Sequence, residues 1–136
     1  MRGTIVCGVV DTDEGRGAVT VAVDLCDRLG LRLVLVHVTQ GAGGTGTAAG
    51  ADLLARVASE HGVADTAERR EAYGDAATRL GEIAAEEAAD LILVGVRSRG
   101  RLRGRLESNV GKELEAETAI PVLIAPASRR RGAQVP

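Results

Sequence analysis

Short runs of aliphatic residues alternate along the chain with longer segments in which apolar residues recur every three or four positions. The longer segments predict four amphipathic helices. The short runs predict four strands, at residues 3–10, 32–38, 90–95 and 120–125, and a polar segment at residues 66–72 predicts a fifth. Such alternation is typical of a parallel sheet covered on both faces, so we expect an α/β fold with one open, doubly wound sheet of five strands.

Polar residues and glycines indicate where the helices begin and end. Residues 11–14, Asp-Thr-Asp-Glu, offer side-chain oxygens at the start of the first helix, and we expect at least one of the two aspartates to cap it. Gly30 is expected to end that helix. The polarity of residues 66–72 predicts a strand at a sheet edge. The apolar stripes of the third and fourth helices are expected to extend to Ala88 and Ala119.

The composition narrows the classes of function. Apolar residues make up 45% of the 136 residues, but Phe and Trp are absent, so the core must be built from Val, Leu, Ile and Ala. The 17 basic and 19 acidic residues give a formal net charge of −2. Without aromatic platforms or net positive charge, nucleic-acid binding is not expected. The chain shows no leader-like start and no apolar run of about 18 residues, so we expect a cytoplasmic protein that does not enter a membrane.

The carboxyl ends of the first and fourth strands are the expected location of a ligand. Ligands of open parallel sheets bind there because the winding direction reverses between those strands. The segment after the fourth strand, residues 95–109, contains five arginines and leads to Ser108 and Asn109, which are predicted to cap the last helix. A helix N-terminus beside a basic loop favours an anion, and we expect only one or two arginines, Arg97 among them, to contact a phosphate.

Other motifs are rejected on their spacing. Residues 41–46 match GxGxxG, but they follow the second strand at a distance of two residues and lie in a Gly- and Thr-rich stretch typical of a flexible loop. Residues 104–112 have six residues rather than four between their glycines, and Glu113 stands where a P-loop needs Ser or Thr. The two aspartates after the first strand lack the lysine after the fifth strand that a phosphoacceptor pocket needs.

Several segments of the chain resemble the universal stress protein family, over residues 3 to 126 in all. They are residues 5–11, 29–38, 74–75, 89–95 and 120–124. The resemblance implies an adenine nucleotide alpha hydrolase-like sheet of order 3-2-1-4-5, and in one branch of the family a bound ATP. It also implies a homodimer formed through the last strand, at Pro121, Val122, Leu123 and Ile124. On this basis residues 1–126 form the domain, and the Arg-rich residues 127–136 are expected to be a disordered tail.

The ATP-binding branch has a motif, G-x2-G-x9-G-[S/T], that is only partly matched here. By the resemblance the motif falls on Gly95, Ser98, Ser108 and Asn109, of which only Gly95 keeps the family residue. Serine in place of glycine adds a Cβ that narrows the phosphate cradle. The nucleoside half is better matched: the resemblance implies that Asp11 meets the ribose or adenine and that Val38 and Val94 meet the base. Val9, Arg97 and Val110 complete the predicted cofactor-binding set.

The remaining candidate side chains are assigned structural roles. Cys7 and Cys26 are expected to be small buried hydrophobic residues, and no metal cluster is predicted. His37 is expected to be a hydrogen-bonded core histidine, His61 to end the second helix, and Tyr73 to fill space at a sheet edge. Because no histidine is expected near the predicted site, no catalytic residue is assigned.

These observations lead to one hypothesis and two alternatives. The hypothesis is a regulatory or protective stress-response module whose divergent pocket binds ATP or another adenine nucleotide weakly or not at all. One alternative is a slow ATPase that uses the arginine-rich loop, and the other is a dimeric scaffold that binds no nucleotide. A protein partner of unknown identity is also expected.

Overall fold

The computed structural model describes residues 3–39, 48–95 and 110–126, which form five strands and four helices. All strands pair in parallel, in the order β3-β2-β1-β4-β5, which confirms the predicted fold class and strand order. In chain order the elements are β1 (Thr4–Gly8), α1 (Asp13–Leu29), β2 (Arg32–Thr39), α2 (Ala48–Glu60), β3 (Glu68–Tyr73), α3 (Ala76–Glu86), β4 (Leu91–Gly95), α4 (Val110–Glu117) and β5 (Val122–Ala125).

The central strand divides the core into two halves, because alternate side chains of β1 point to opposite faces of the sheet. Ile5, Cys7 and Val9 pack with α1 and α2 on one face. Val6 packs with α3 and α4 on the other. The core is aliphatic, as the composition predicts, and both cysteines are buried and form no disulfide.

The first helix is capped by Thr12 and not by either neighbouring aspartate, so that expectation was wrong. The Thr12 hydroxyl accepts a hydrogen bond from the Gly15 amide at 3.0 Å, and the Thr12 backbone is extended. Asp11 precedes the cap position and Asp13 is already the first helical residue, so Thr12 stands at the cap position. Gly30 ends the helix in the left-handed conformation, as predicted.

Several element boundaries differ from the predictions. The glycine-rich loop after the second strand is predicted to span residues 40–50, but α2 already begins at Ala48. Ala88 lies beyond α3 because its φ of 54° takes the chain out of the helix. Ala119 lies beyond α4, where the Thr118 hydroxyl accepts a hydrogen bond from the Ile120 amide at 3.0 Å. The predicted tail, residues 127–136, lies outside the described residues.

Two negative findings hold for the described part of the chain. No helix there is long and apolar enough to span a membrane. No three or more of its His, Cys, Asp and Glu side chains are grouped so as to hold a metal ion.

Candidate functional site

The carboxyl ends of β2, β1 and β4 lie side by side. Gly8 of β1 pairs with Val36 of β2, and Cys7 pairs with Leu93 of β4. The winding direction reverses between β1 and β4, because α1 and α2 cover one face and α3 and α4 the other. The residues that end or follow these strands therefore emerge at one edge of the sheet, where a ligand site is expected. They include five of the predicted site residues: Val9, Asp11, Val38, Val94 and Gly95.

Val9 anchors the turn between β1 and α1. Its amide donates to the Val36 carbonyl at 2.7 Å, and its side chain is buried against the α1 and α2 face. Its carbonyl oxygen lies 2.8 Å from Nδ1 of His37. Because a carbonyl only accepts, Nδ1 carries the proton and donates it. Both backbone polar groups of Val9 are therefore hydrogen-bonded. These bonds fix the position of the residue from which the turn carrying Asp11 begins.

His37 lies closer to the candidate site than expected. It is hydrogen-bonded, as predicted, but half-buried, and it precedes Val38 at the end of β2. The expectation that no histidine lies near the site was wrong. The sequence predicts a core histidine at this position, and it cannot show that the turn after β1 brings the Val9 carbonyl to the imidazole.

Val38, Val94 and Val110 belong to the opposite half of the core. Val94 is buried, and Val38 and Val110 are half-buried; all three pack in the cluster beneath α3 and α4. The Val94 side chain thus packs in the core, and this residue can contact a ligand only through its backbone. Gly95, the last residue of β4, is half-buried and pairs with Ala125 of β5.

Asp11 is the charged side chain that the turn after β1 presents. Its carboxylate is 56% exposed, and Oδ1 accepts from Nη1 of Arg16 at 2.9 Å. Arg16 also reaches Glu60 at the end of α2, with Nε 3.4 Å from Oε1. Arg56, one turn earlier in α2, has Nη2 at 3.9 Å from Oδ2 of Asp11. The positive charges of two arginines and the negative charges of two carboxylates therefore neutralise one another where the start of α1 meets the end of α2.

Within this cluster of charged side chains, the pKa of Arg16 depends mainly on Asp11. The hydrogen bond to Asp11 is the largest influence on Arg16 and raises the pKa of its guanidinium, while partial burial opposes that effect. Sequence reasoning missed Arg16, Arg56 and Glu60. The one available signal was the pairing of Arg56 and Glu60 four residues apart on one helix face.

The other predicted site residues, Arg97, Ser98, Ser108 and Asn109, lie outside the described residues. The residues predicted to form a dimer lie within the described part of the chain: Ile124 is exposed, Val122 and Leu123 are half-buried, and Pro121 is exposed just before β5. Among the described strands, β5 pairs only with β4 and so forms one edge of the sheet.

Solved structures of similar fold are numerous, whereas no curated protein sequence matches the chain significantly. A universal stress protein in complex with cAMP has a TM-score of 0.77 at 22% identity, covering 93% of this chain and 98% of its own. A universal stress protein from Archaeoglobus fulgidus has a TM-score of 0.72 at 20% identity, covering 92% and 99%. Another from the same organism, in complex with dAMP, has a TM-score of 0.66 at 17% identity, covering 92% and 98%.

The sequence of the chain matches a model of a protein family. The family model described as "Universal stress protein family" matches residues 1–126, which is nearly the whole chain. It spans all five strands and four helices of the fold described above. The chain therefore belongs to the universal stress protein family.

Proposed function

We propose that this protein is a regulatory or protective stress-response module that binds an adenine nucleotide weakly at the carboxyl ends of β1 and β4. The observation that carries the proposal is the half-exposed Asp11 carboxylate in the turn after β1, the strand that pairs with β4. A carboxylate there offers an acceptor to the hydroxyl or amine donors of a nucleoside. The nucleoside end of the ligand then supplies most of the affinity.

The triphosphate end contributes little in this proposal. Ser98 and Ser108 stand where the ATP-binding branch of the family has glycine, and each added Cβ restricts how closely backbone amides can approach a phosphate. Two structures of similar fold hold cAMP and dAMP, which are adenine nucleotides with a single phosphate. This agrees with a pocket in which AMP binds at least as well as ATP.

Titration calorimetry of the full chain with AMP, and separately with ATP and Mg²⁺, tests the proposal. We expect AMP to bind in the range of tens of micromolar to millimolar, and Asp11→Asn to weaken it about tenfold. Asp24→Asn is the matched control, because Asp24 has the same 56% exposure and also pairs with an arginine, at the far end of α1. Absence of AMP binding at millimolar concentrations, or equal effects of the two substitutions, would contradict the proposal.

Binding without turnover is part of the same proposal. The support is that His37 is hydrogen-bonded to the Val9 carbonyl and that, within residues 3–39, 48–95 and 110–126, it activates no hydroxyl or thiol side chain as a nucleophile. A phosphate-release assay with ATP and Mg²⁺ is expected to give no signal above buffer. Release that disappears in Arg97→Ala would instead favour a slow ATPase.

We further propose that the protein is a homodimer that pairs through β5. The support is the apolar character of this edge strand, in which Ile124 is 40% exposed. An exposed apolar edge strand favours pairing with a second chain.

A further inference from the structure

A groove lies beside the second half of α1, on the face of the sheet that α1 and α2 cover. Residues between 20 and 33 line one side of it, and residues between 61 and 66, which follow α2, line the other. Its volume of about 740 Å³ falls within the range of about 300–1,000 Å³ that is typical of small-molecule sites. The groove is therefore large enough to hold a small molecule.

The groove exists because α2 ends while α1 continues beside it. His61, the residue after α2, faces Thr20 in the middle of α1, with its Nε2 3.2 Å from the Thr20 Oγ1. From there α1 continues to Leu29, whereas the chain after α2 passes through Gly62, whose φ of 72° ends the helical path. A loop thus stands opposite the last turns of α1, and it leaves a gap over the start of β2.

The floor of the groove is apolar and its rim is polar. The apolar lining residues pack in the half of the core beneath α1 and α2; they are Val23, Cys26, Leu31, Leu33 and Val63. The polar lining residues are exposed or half-buried; they are Thr20, Asp24, Asp27, His61 and Thr66. An apolar floor with a few polar groups at its edge fits a molecule that has an apolar body and one polar end.

Two carboxylates give the rim a negative charge. Asp24 and Asp27 stand three residues apart on one face of α1, so both lie beside the groove. Oδ1 of Asp24 accepts from Nε of Arg28 at 3.0 Å, and both side chains of that pair are more than half exposed. Among the residues that the structure describes, none forms an ion pair with Asp27. The charge of Asp27 is therefore left without a neighbouring cation.

Arg32 also lines the groove, but its guanidinium does not neutralise this charge. Leu33 points to the α1 and α2 face, so Arg32, the preceding residue of β2, points to the other face. There it donates to the Thr4 hydroxyl at 3.1 Å and to Glu68 at 2.8 Å. On the groove side the Arg32 carbonyl accepts from the Cys26 thiol at 3.8 Å. A molecule in the groove thus meets the carboxylates and not this guanidinium.

We propose that this groove is a second binding site, which takes a small organic cation with an apolar body. The apolar part packs on the floor, and the ammonium group lies against Asp27 and Asp24. The groove is at the amino end of β2, whereas the nucleotide is proposed to bind at the carboxyl ends of the strands. Because β2 has eight residues, its two ends lie more than about 20 Å apart. Occupancy of the groove therefore does not depend on nucleotide binding.

Tryptamine, an indole with an ethylammonium chain, is the probe, and tryptophol, in which a hydroxyl replaces the ammonium group, is its neutral match. The chain contains no Trp, so indole fluorescence anisotropy reports the probe alone. We expect tryptamine to bind the full chain with a dissociation constant of about 1 mM, as suits a molecule of its size. We expect it to bind about fivefold more tightly than tryptophol, because the carboxylates are exposed to water. The largest amide shifts in two-dimensional NMR spectra are expected within residues 20–33 and 61–66.

Substitution of the two carboxylates tests what selects the cation. Asp27→Asn is expected to reduce the preference for tryptamine over tryptophol to about twofold, and the further change Asp24→Asn to remove it. Both residues are exposed, so neither change should affect folding. Asp65→Asn is the matched control, because Asp65 is an exposed carboxylate of the loop after α2 that does not line the groove. This variant should keep the full preference.

Three kinds of result would overturn the proposed site. One is the absence of tryptamine binding at several times the expected dissociation constant, or equal affinities for tryptamine and tryptophol. Another is amide shifts centred on residues 8–11 and 94–95, or displacement of tryptamine by AMP, since either result would place the probe at the nucleotide edge. The third is a preference that survives Asp27→Asn combined with Asp24→Asn, which would show that these carboxylates do not select the cation.

Discussion

The carbonyl oxygen of Val10 folds back against the first turn of α1 at Gly15, where a side chain would have no room. A Cβ added to Gly15 would stand 2.1 Å from that oxygen and 2.6 Å from the Val10 Cγ2. The same carbonyl accepts a hydrogen bond from the Thr12 amide at 2.9 Å. Gly15 thus permits the compact turn that carries Asp11 between β1 and α1.

Gly15→Ala is expected to lower the free energy of unfolding by about 1–3 kcal/mol, because the backbone of the turn must move to relieve the overlap. This loss exceeds the gain of about 1 kcal/mol that alanine brings to a helix interior. Urea denaturation measures it. Because the displaced turn carries Asp11, the affinity for AMP should fall as well.

Gly81→Ala is the matched control for that substitution. Among the atoms of the described residues, a Cβ on Gly81 of α3 would meet only the Leu114 Cδ2, at an ordinary contact distance of 3.9 Å. Helix propensity then dominates, and the free energy of unfolding is expected to rise by about 0.5–1 kcal/mol. A rise in the free energy of unfolding for Gly15→Ala as well would show that the turn does not depend on Gly15.

The fold was predictable because its signals are local and repetitive. Four of the five described strands are marked by aliphatic runs. The beginning of α3 at Asp75 and the end of α1 at Gly30 carry residues with strong positional preferences. The cap at Thr12 was missed because four consecutive residues there, 11–14, all carry side-chain oxygens. Which one caps the helix depends on backbone dihedrals that no composition rule specifies.

The candidate site was predictable only in its location. The rule for strand ends led to Asp11 and Gly95, which do lie at the carboxyl ends of the adjacent strands β1 and β4. The neighbours of Asp11 could not be predicted in the same way. Arg16 and Glu60 are 44 residues apart, and their contact depends on how α1 and α2 pack on the sheet and on the rotamers of two long side chains.

Glu87 joins three elements at the amino end of the sheet. Its carboxylate, 17% exposed, accepts from Arg32 of β2 and, at 3.0 Å, from Nη1 of Arg70 of β3. Glu87→Gln leaves two guanidinium groups without this anion, and both are about one-third exposed, so we expect a loss of about 1–2 kcal/mol in the free energy of unfolding.

Glu82→Gln provides the comparison, since Glu82 is half-exposed and pairs with Arg79 on one helix face. Its effect is expected to stay within about 0.5 kcal/mol, as for other surface ion pairs. Urea denaturation of the two variants under identical conditions checks the difference. Equal effects would mean that the partly buried network at Glu87 contributes no more than an exposed pair.

Cys7 is expected to make the free energy of unfolding fall as the pH rises through the alkaline range. Burial, with a smaller contribution from nearby Cys26, raises the pKa of the Cys7 thiol to about 12. Below the ordinary thiol pKa of about 8.5 both the folded and the unfolded chain keep the proton. In that range the thiol does not make the free energy of unfolding depend on pH. Above it the unfolded chain releases the proton and the folded chain does not, so the contribution of Cys7 is lost progressively toward pH 12.

The size of this effect can be measured in a Cys26→Ala background, by comparing Cys7 with Cys7→Ala at pH 8 and pH 10. We expect the chain with Cys7 to lose about 2 kcal/mol more of its free energy of unfolding than the chain with Cys7→Ala. Other groups that titrate in this range cancel in the comparison. Identical losses would show that the thiol is not shielded from water in the folded state.

The proposed dimer depends on the edge strand β5, where Ile124 is exposed and only one side pairs with a neighbouring strand of the described sheet. Light scattering coupled to size exclusion is expected to give about twice the chain mass of 14.0 kDa at micromolar concentration. Ile124→Asp places a charge on the apolar edge and should yield monomer. Arg69→Glu alters an exposed residue of β3, the opposite edge, and should leave the dimer intact. A monomer in the unaltered protein, or dissociation caused by Arg69→Glu alone, would exclude pairing through β5.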